Sequence, residues 1–310
     1  MKLEGKVLVL GSKGFLGQHL INLKTSLDIV GDARLEDWTN YENLQSLFSN
    51  RPPDYVINAA AKQGSMQFGK KYCADVFTTN TVLSLNVFKA CIEFKVKKLA
   101  NVLSSCGYPN LSDGICSEVD YMTYTAHPSV EANAWAKRNT VRAMRLFKQQ
   151  HGLNSICVIP TTLFGKNDYL DLNKTKALMA LVKRFVDAKN TNKPIVKLQG
   201  TGAAIREYIH VTDAAKLILW ALENYEDTYW PINLAPFPSQ DISIKNLAEL
   251  IATKVGYQGD IIWDGDPKDD GQIRKTLDTR KLQWLNPSFK FTPFDQGLTN
   301  TIRWYQSLNV

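Results

Sequence analysis

The chain has 310 residues, 44% of them hydrophobic and 22% charged, which is material for two lobes and excludes a disordered, collagen-like or disulfide-scaffold chain. Lys and Arg outnumber Asp and Glu by 37 to 30, a formal +7, which suits an anionic partner. The cations come in scattered groups such as Lys70-Lys71 and Lys183-Arg184 rather than one stripe with interleaved aromatics, so nucleic acid is not the expected partner.

Lys6 to Leu10 reads as a strand buried on both faces, and Gly11-Ser12-Lys13-Gly14-Phe15-Leu16-Gly17 follows it at once and opens a helix. That context turns a weak glycine pattern into a dinucleotide cradle. Gly11 permits the turn, Gly14 lets the backbone approach a pyrophosphate, and Gly17 lets helix and strand pack closely. Lys13 and Arg34 suit the 2′-phosphate of NADP, whereas Asp32 suits the free ribose hydroxyl of NAD; two cations against one carboxylate favour NADP.

Tyr55 to Ala61 reads as a second buried strand, ending in small residues, with Asn58, Ala59 and Ala60 beside the cofactor. Apolar residues at helical spacing predict a helix over Val82–Phe94, a strand over Lys98–Ser105, a helix over Ala134–Gln150 stopped by Gly152, and a strand over Ser155–Pro160. The alternation implies an α/β fold, a doubly wound parallel Rossmann sheet. Beyond Phe164 the beat breaks, and a smaller α/β lobe is expected to bind the substrate. The expected division gives 1–164 plus about 207–230 to the dinucleotide domain, and 165–206 plus 231–310 to the second lobe. No apolar run approaches the roughly 20 residues that cross a bilayer, and no signal peptide is read, so a cytoplasmic protein is expected. Five cysteines without a CxxC or a Cys/His cluster read as thiols, with no metal site.

Five motifs together resemble the GDP-L-fucose synthases, which are extended short-chain dehydrogenase/reductases. They are the glycine turn, Val56-Ile57-Asn58-Ala59-Ala60-Ala61, Leu103-Ser104-Ser105-Cys106-Gly107, Ala136-Lys137-Arg138, and Arg206-Glu207-Tyr208-Ile209-His210. The similarity continues through Asp270–Lys275 and Phe291–Phe294. It implies a homodimer that uses NADP, epimerises C3 and C5 of GDP-4-keto-6-deoxymannose and reduces C4. By the same resemblance Ser104 bonds the carbonyl, Cys106 is the epimerisation base, Lys137 holds the nicotinamide ribose, and Arg206 and Lys275 contact the nucleotide sugar.

The sequence also departs from the pattern. Asn133 stands where the family has its catalytic tyrosine, Lys176 where it has a histidine acid, and Gln199 where it has a tryptophan. A general acid is worth ~10²–10⁴-fold, so its loss weighs against C4 reduction. Epimerisation asks only that an enolate oxygen meet hydrogen-bond donors, which Ser104 and the Asn133 amide supply, with Lys176 as partner acid. The alternative reading is a catalytically silent nucleotide-sugar or cofactor-binding protein of the same fold.

Overall fold

The structure is a computed structural model describing residues 3–32, 38–110, 114–267 and 270–308. In β1 (Lys6–Leu10), Val7 and Val9 pack into one core and Leu8 and Leu10 into another. A strand covered on both faces cannot alternate apolar with polar, so the run is apolar throughout. The chain continues through α1 (Phe15–Ile21), β2 (Asp28–Gly31), α2 (Tyr41–Asn50), β3 (Tyr55–Asn58), α3 (Met66–Lys71), α4 (Cys73–Glu93) and β4 (Lys98–Val102). Next come β5 (Ile115–Cys116), α5 (Glu131–His151), β6 (Ser155–Pro160), β7 (Thr162–Phe164), α6 (Ala177–Asn190), β8 (Ile195–Gln199), β9 (Ile205–His210), α7 (Val211–Asn224) and β10 (Ile232–Leu234). The last elements are β11 (Asp241–Ser243), α8 (Ile244–Val255), β12 (Asp260–Asp264), β13 (Arg274–Leu277), α9 (Arg280–Leu285) and α10 (Phe294–Gln306).

Six parallel strands lie in the order β10-β6-β4-β3-β1-β2. Strand order reverses at β1, which has β2 on one side and β3 on the other, and a crevice opens beyond its C-terminal end. Leu44, Phe88, Val141 and Met144 of α2, α4 and α5 cover one face of the sheet. Leu16 and Leu20 of α1 and Leu217 and Ile218 of α7 cover the other. Helix α4 starts at Cys73 rather than the expected Val82, because its first two turns bury little besides Val76 and Asn80 and their periodicity is faint. Helix α5 ends where predicted, at Gly152 with φ +71°.

A second sheet, β11-β9-β13-β5 with β7 on β9, and the pair β12-β8 accompany α6, α8 and α10 around Phe185, Leu247, Ile251 and Ile302. The sheet arrangement does not follow the expected boundaries throughout. Strands β5 and β7, before residue 165, and β9, most of which lies within 207–230, belong to the second sheet, while β10 pairs with β6 and Leu282 of α9 packs in the core of the first sheet although both lie after residue 231. Three-residue strands and a six-residue helix between turn signals are too short to show a period. Among the described residues no helix is long and apolar enough to cross a membrane.

Glu207 of β9 is fully buried, accepting from Ser239 Oγ at 2.8 Å and Leu277 N at 3.2 Å. Burial pushes its carboxyl up to about 7 against those two bonds. Because the folded value lies above the unfolded one, the contribution is whole below about pH 4.5 and is lost as pH rises through 7. Glu207→Gln is therefore expected to flatten the stability profile over that window by up to ~3 kcal/mol, read from denaturant midpoints at pH 5 and 8. Parallel profiles for the two proteins would refute it.

Candidate active site

The turn after β1 is built by contacts only glycine allows. Gly11 has φ +81°, and a Cβ there would lie 2.8 Å from the Ala60 backbone. A Cβ at Gly17 would lie 2.0 Å from the Gly11 carbonyl oxygen, so the third glycine lets α1 close onto the turn. Gly11, Lys13, Gly14, Phe15, Leu16, Gly17, Ala59 and Ala60 all line a cleft of about 1600 Å³. Asn58 does not line it; as the last residue of β3 it is buried below the surface, with Oδ1 lacking a partner among the described residues.

Asp32 turns out to belong to the turn itself. Its Oδ2 accepts from Gly11 N at 2.6 Å and Trp38 Nε1 at 2.8 Å, and its Oδ1 from Ser12 N at 2.8 Å and Ser12 Oγ at 2.7 Å. A carboxylate has about four acceptor sites, and these four donors fill them. No acceptor is left for a ribose 2′-hydroxyl, which removes the sequence argument for NAD. Lys13 is exposed at the cleft; Arg34 lies outside the described residues.

At the end of β4, Ser104 caps the short helical turn Ser105–Gly107, its Oγ accepting from Cys106 N at 3.2 Å. The turn is pinned from behind. Tyr121 donates its hydroxyl to Ser104 O at 2.9 Å, and buried Arg138 donates to the carbonyls of Gly107, Thr123 and Tyr124 at 2.6–3.0 Å. One helical turn apart on α5, Asn133 and Lys137 face the same cleft. Asn80 of α4, itself fixed to both backbone groups of Lys62, donates to Asn133 Oδ1 at 3.3 Å. With its oxygen so engaged, the Asn133 amide offers its N–H groups to the cleft. Asn80 was invisible in the sequence, because a buried asparagine in a helix carries no local signal.

The second sheet supplies two cations. Arg206 of β9 and Lys275 of β13 are paired in register and so project to the same side. Lys275 Nζ lies 3.9 Å from Cys106 Sγ, while Arg206 donates to the carbonyls of Ile205 and Asp270. Burial pushes the Cys106 thiol up, but Lys275, Lys176, the Ser104 contact and Arg206 together hold it below its usual value. Lys275→Met is expected to raise that thiol and slow its alkylation by iodoacetamide near neutral pH several-fold, roughly 5–10-fold. An unchanged alkylation rate in the pH 6 to 8 range, by mass spectrometry, would count against Lys275 as the main partner.

Lys176, immediately before α6, is exposed and donates to Gly64 O at 3.3 Å; Gln199, at the end of β8, also faces the cleft. Three cleft residues were missed or left aside by sequence reasoning. Asp168 is buried, and burial pushes its carboxyl up to about 6 against the Tyr169 N–H and Lys176. The Tyr169 hydroxyl would lie 3.5 Å from a Cβ on Gly14, over the glycine turn. His127 lines the cleft with Nδ1 accepting from Ser129 N, and burial, Arg206 and Lys70 hold it below its usual value.

Residues 7–235 match the model of the NAD dependent epimerase/dehydratase family. The chain belongs to that family. Within it, the chain is 34% identical to the GDP-L-fucose synthase 1 of Arabidopsis thaliana, over 97% of this chain and 93% of that protein. It is 30% identical to the GDP-L-fucose synthase of Escherichia coli K12, over 97% and 96%. Among solved structures, a GDP-L-fucose synthetase from Naegleria fowleri bound to NADP superposes with a TM-score of 0.86 at 25% identity, covering 100% of this chain and 95% of that one.

Proposed function

We propose that this family member epimerises C3 and C5 of a GDP-linked 4-keto sugar, with NADP in the cradle of the first lobe and the diphospho-sugar across the cleft. The observation that carries this reading is the Cys106–Lys275 pair, a thiol held toward its anionic form beside Ser104, in the cleft that also holds the glycine turn. The relatives named GDP-L-fucose synthase supply the sugar and base in this reading. The family's capacity for hydride transfer comes from the nicotinamide when NADP is bound.

The fit to NADP rests on the turn itself. Its glycines let the turn and α1 pack where a Cβ would strike backbone, Asp32 is spent on the turn, and Lys13 is an exposed cation at the cleft for a 2′-phosphate. Lys137 would hold the nicotinamide ribose. Arg206, with Gln199 nearby, would hold the nucleotide sugar. Protons beside a ketone are acidic enough for the Cys106 thiolate to remove, and Lys176, at the solvent edge, returns a proton to the opposite face. Ser104 Oγ and the Asn133 amide steady the carbonyl oxygen. An amide does not release a proton, so residue 133 does not itself protonate the C4 alkoxide, and this reading places epimerisation ahead of C4 reduction.

The test is incubation with GDP-4-keto-6-deoxymannose in heavy water, with and without NADPH, following deuterium at C3 and C5 and nicotinamide absorbance. Exchange with little oxidation is the expected result. No exchange and no oxidation across a panel of keto sugars, despite tight NADPH binding, would replace this reading with that of a silent binding protein.

A further inference from the structure

Asn133 leaves the carbonyl oxygen with donors but without an acid, and one helical turn further along α5 lies a buried ammonium. Lys137 lines the cleft, and its Nζ donates to Val102 O at 2.8 Å, at the end of β4 two residues before Ser104. An ammonium carries three protons, so one bond to Val102 leaves two for the cleft. Among the described residues it makes no ion pair that would hold those protons.

We propose that Lys137, besides any contact with the cofactor ribose, gives a proton to the carbonyl oxygen of the keto sugar during enolisation. The proposal rests on the epimerase reading above. In the step, the Cys106 thiolate takes the proton from the carbon beside the ketone and an S–H bond forms. The C–H electron pair becomes the C=C bond, the C=O π pair moves to oxygen, and an O–H bond forms with a proton from Lys137. The product is a neutral enol (an enediol when the carbon is C3) and a neutral amine, with no change of oxidation state. Reprotonation of the carbon from Lys176 on the opposite face restores the ketone, and the enol proton returns to Lys137. Cys106 and Lys176 then exchange with water.

A neutral enol avoids placing an unpaired oxyanion in a partly buried cleft. The lysine is suited to the transfer, because burial brings it down to about 8, near the operating pH. The groups packed against it offset this little. On β6 the buried Cys157 thiol, itself pushed up by burial, acts in the opposite direction, and β4 contributes only the Val102 carbonyl.

The test follows deuterium wash-in at C3 and C5 of GDP-4-keto-6-deoxymannose with oxidised NADP present, so that reduction is impossible, across the neutral and alkaline range. The wild-type rate should rise as Cys106 ionises and fall above about pH 8. Lys137→Arg, whose guanidinium does not titrate, should lose the alkaline fall and run at least ~10-fold slower, and Lys137→Met should be slow at every pH. In the ligand-free protein with carbon-labelled lysine, the NMR resonance that is absent from Lys137→Arg should show a midpoint near 8, a readout independent of turnover.

A Lys137→Met rate within about threefold of wild type, an Arg variant that keeps the alkaline fall, or a midpoint above about 10 would each overturn the role of Lys137. In those cases wild-type exchange would leave the epimerase reading standing. A wild-type protein that exchanges nothing at any pH would overturn both.

Discussion

Asn133→Tyr is expected to raise NADPH-dependent ketone reduction by at least ~10²-fold, within the ~10²–10⁴-fold range of a positioned general acid. Position 133 faces the cleft one turn before Lys137, so a phenol there lies beside the ammonium that stabilises its ionised form as it gives up its proton. The exchange costs little elsewhere. Asn80 loses its 3.3 Å contact with Asn133 but keeps its two bonds to the Lys62 backbone. Asn133→Phe has nearly the same bulk and no proton, and serves as the control. Equal NADPH oxidation by the Tyr and Phe variants would show that the missing phenol is not what limits reduction.

What the sequence made legible follows from how locally each feature is determined. The strand-to-turn passage Lys6–Gly17 could be read directly because one short segment holds the buried run, the positive-φ glycine and the close packing of α1. Cys106 and Lys275 came from a motif match; their 3.9 Å pairing depends on β13 joining β9 in parallel register, which no spacing in the chain announces. Asp32 shows the opposite failure. It stands at the right place to bind a ribose, and its actual occupation, four donors from Gly11, Ser12 and Trp38, depends on the fold of the turn around it. Asp168 was passed over because a carboxylate in a polar stretch reads as solvated, and only the folded cleft buries it.

Cys106→Ser is expected to lower deuterium exchange at C3 and C5 by ~10²–10⁴-fold while NADPH affinity stays within a few-fold. The two side chains are close in size and the turn is held from outside, by Tyr121, Arg138 and the Ser104 cap on the residue 106 N–H, so the backbone has no reason to move. What changes is acidity. Lys275 and its neighbours can hold a thiol below its usual value, but a serine hydroxyl starts far higher, and the same cations leave it protonated throughout the working range. The pH profile carries the sharper test. In the wild type the rate should climb as pH passes the lowered thiol value, in Lys275→Met the climb should move upward, and in Cys106→Ser it should vanish. A serine variant that keeps the wild-type climb would assign proton removal to another group in the cleft, with Asp168 and His127 the first to examine.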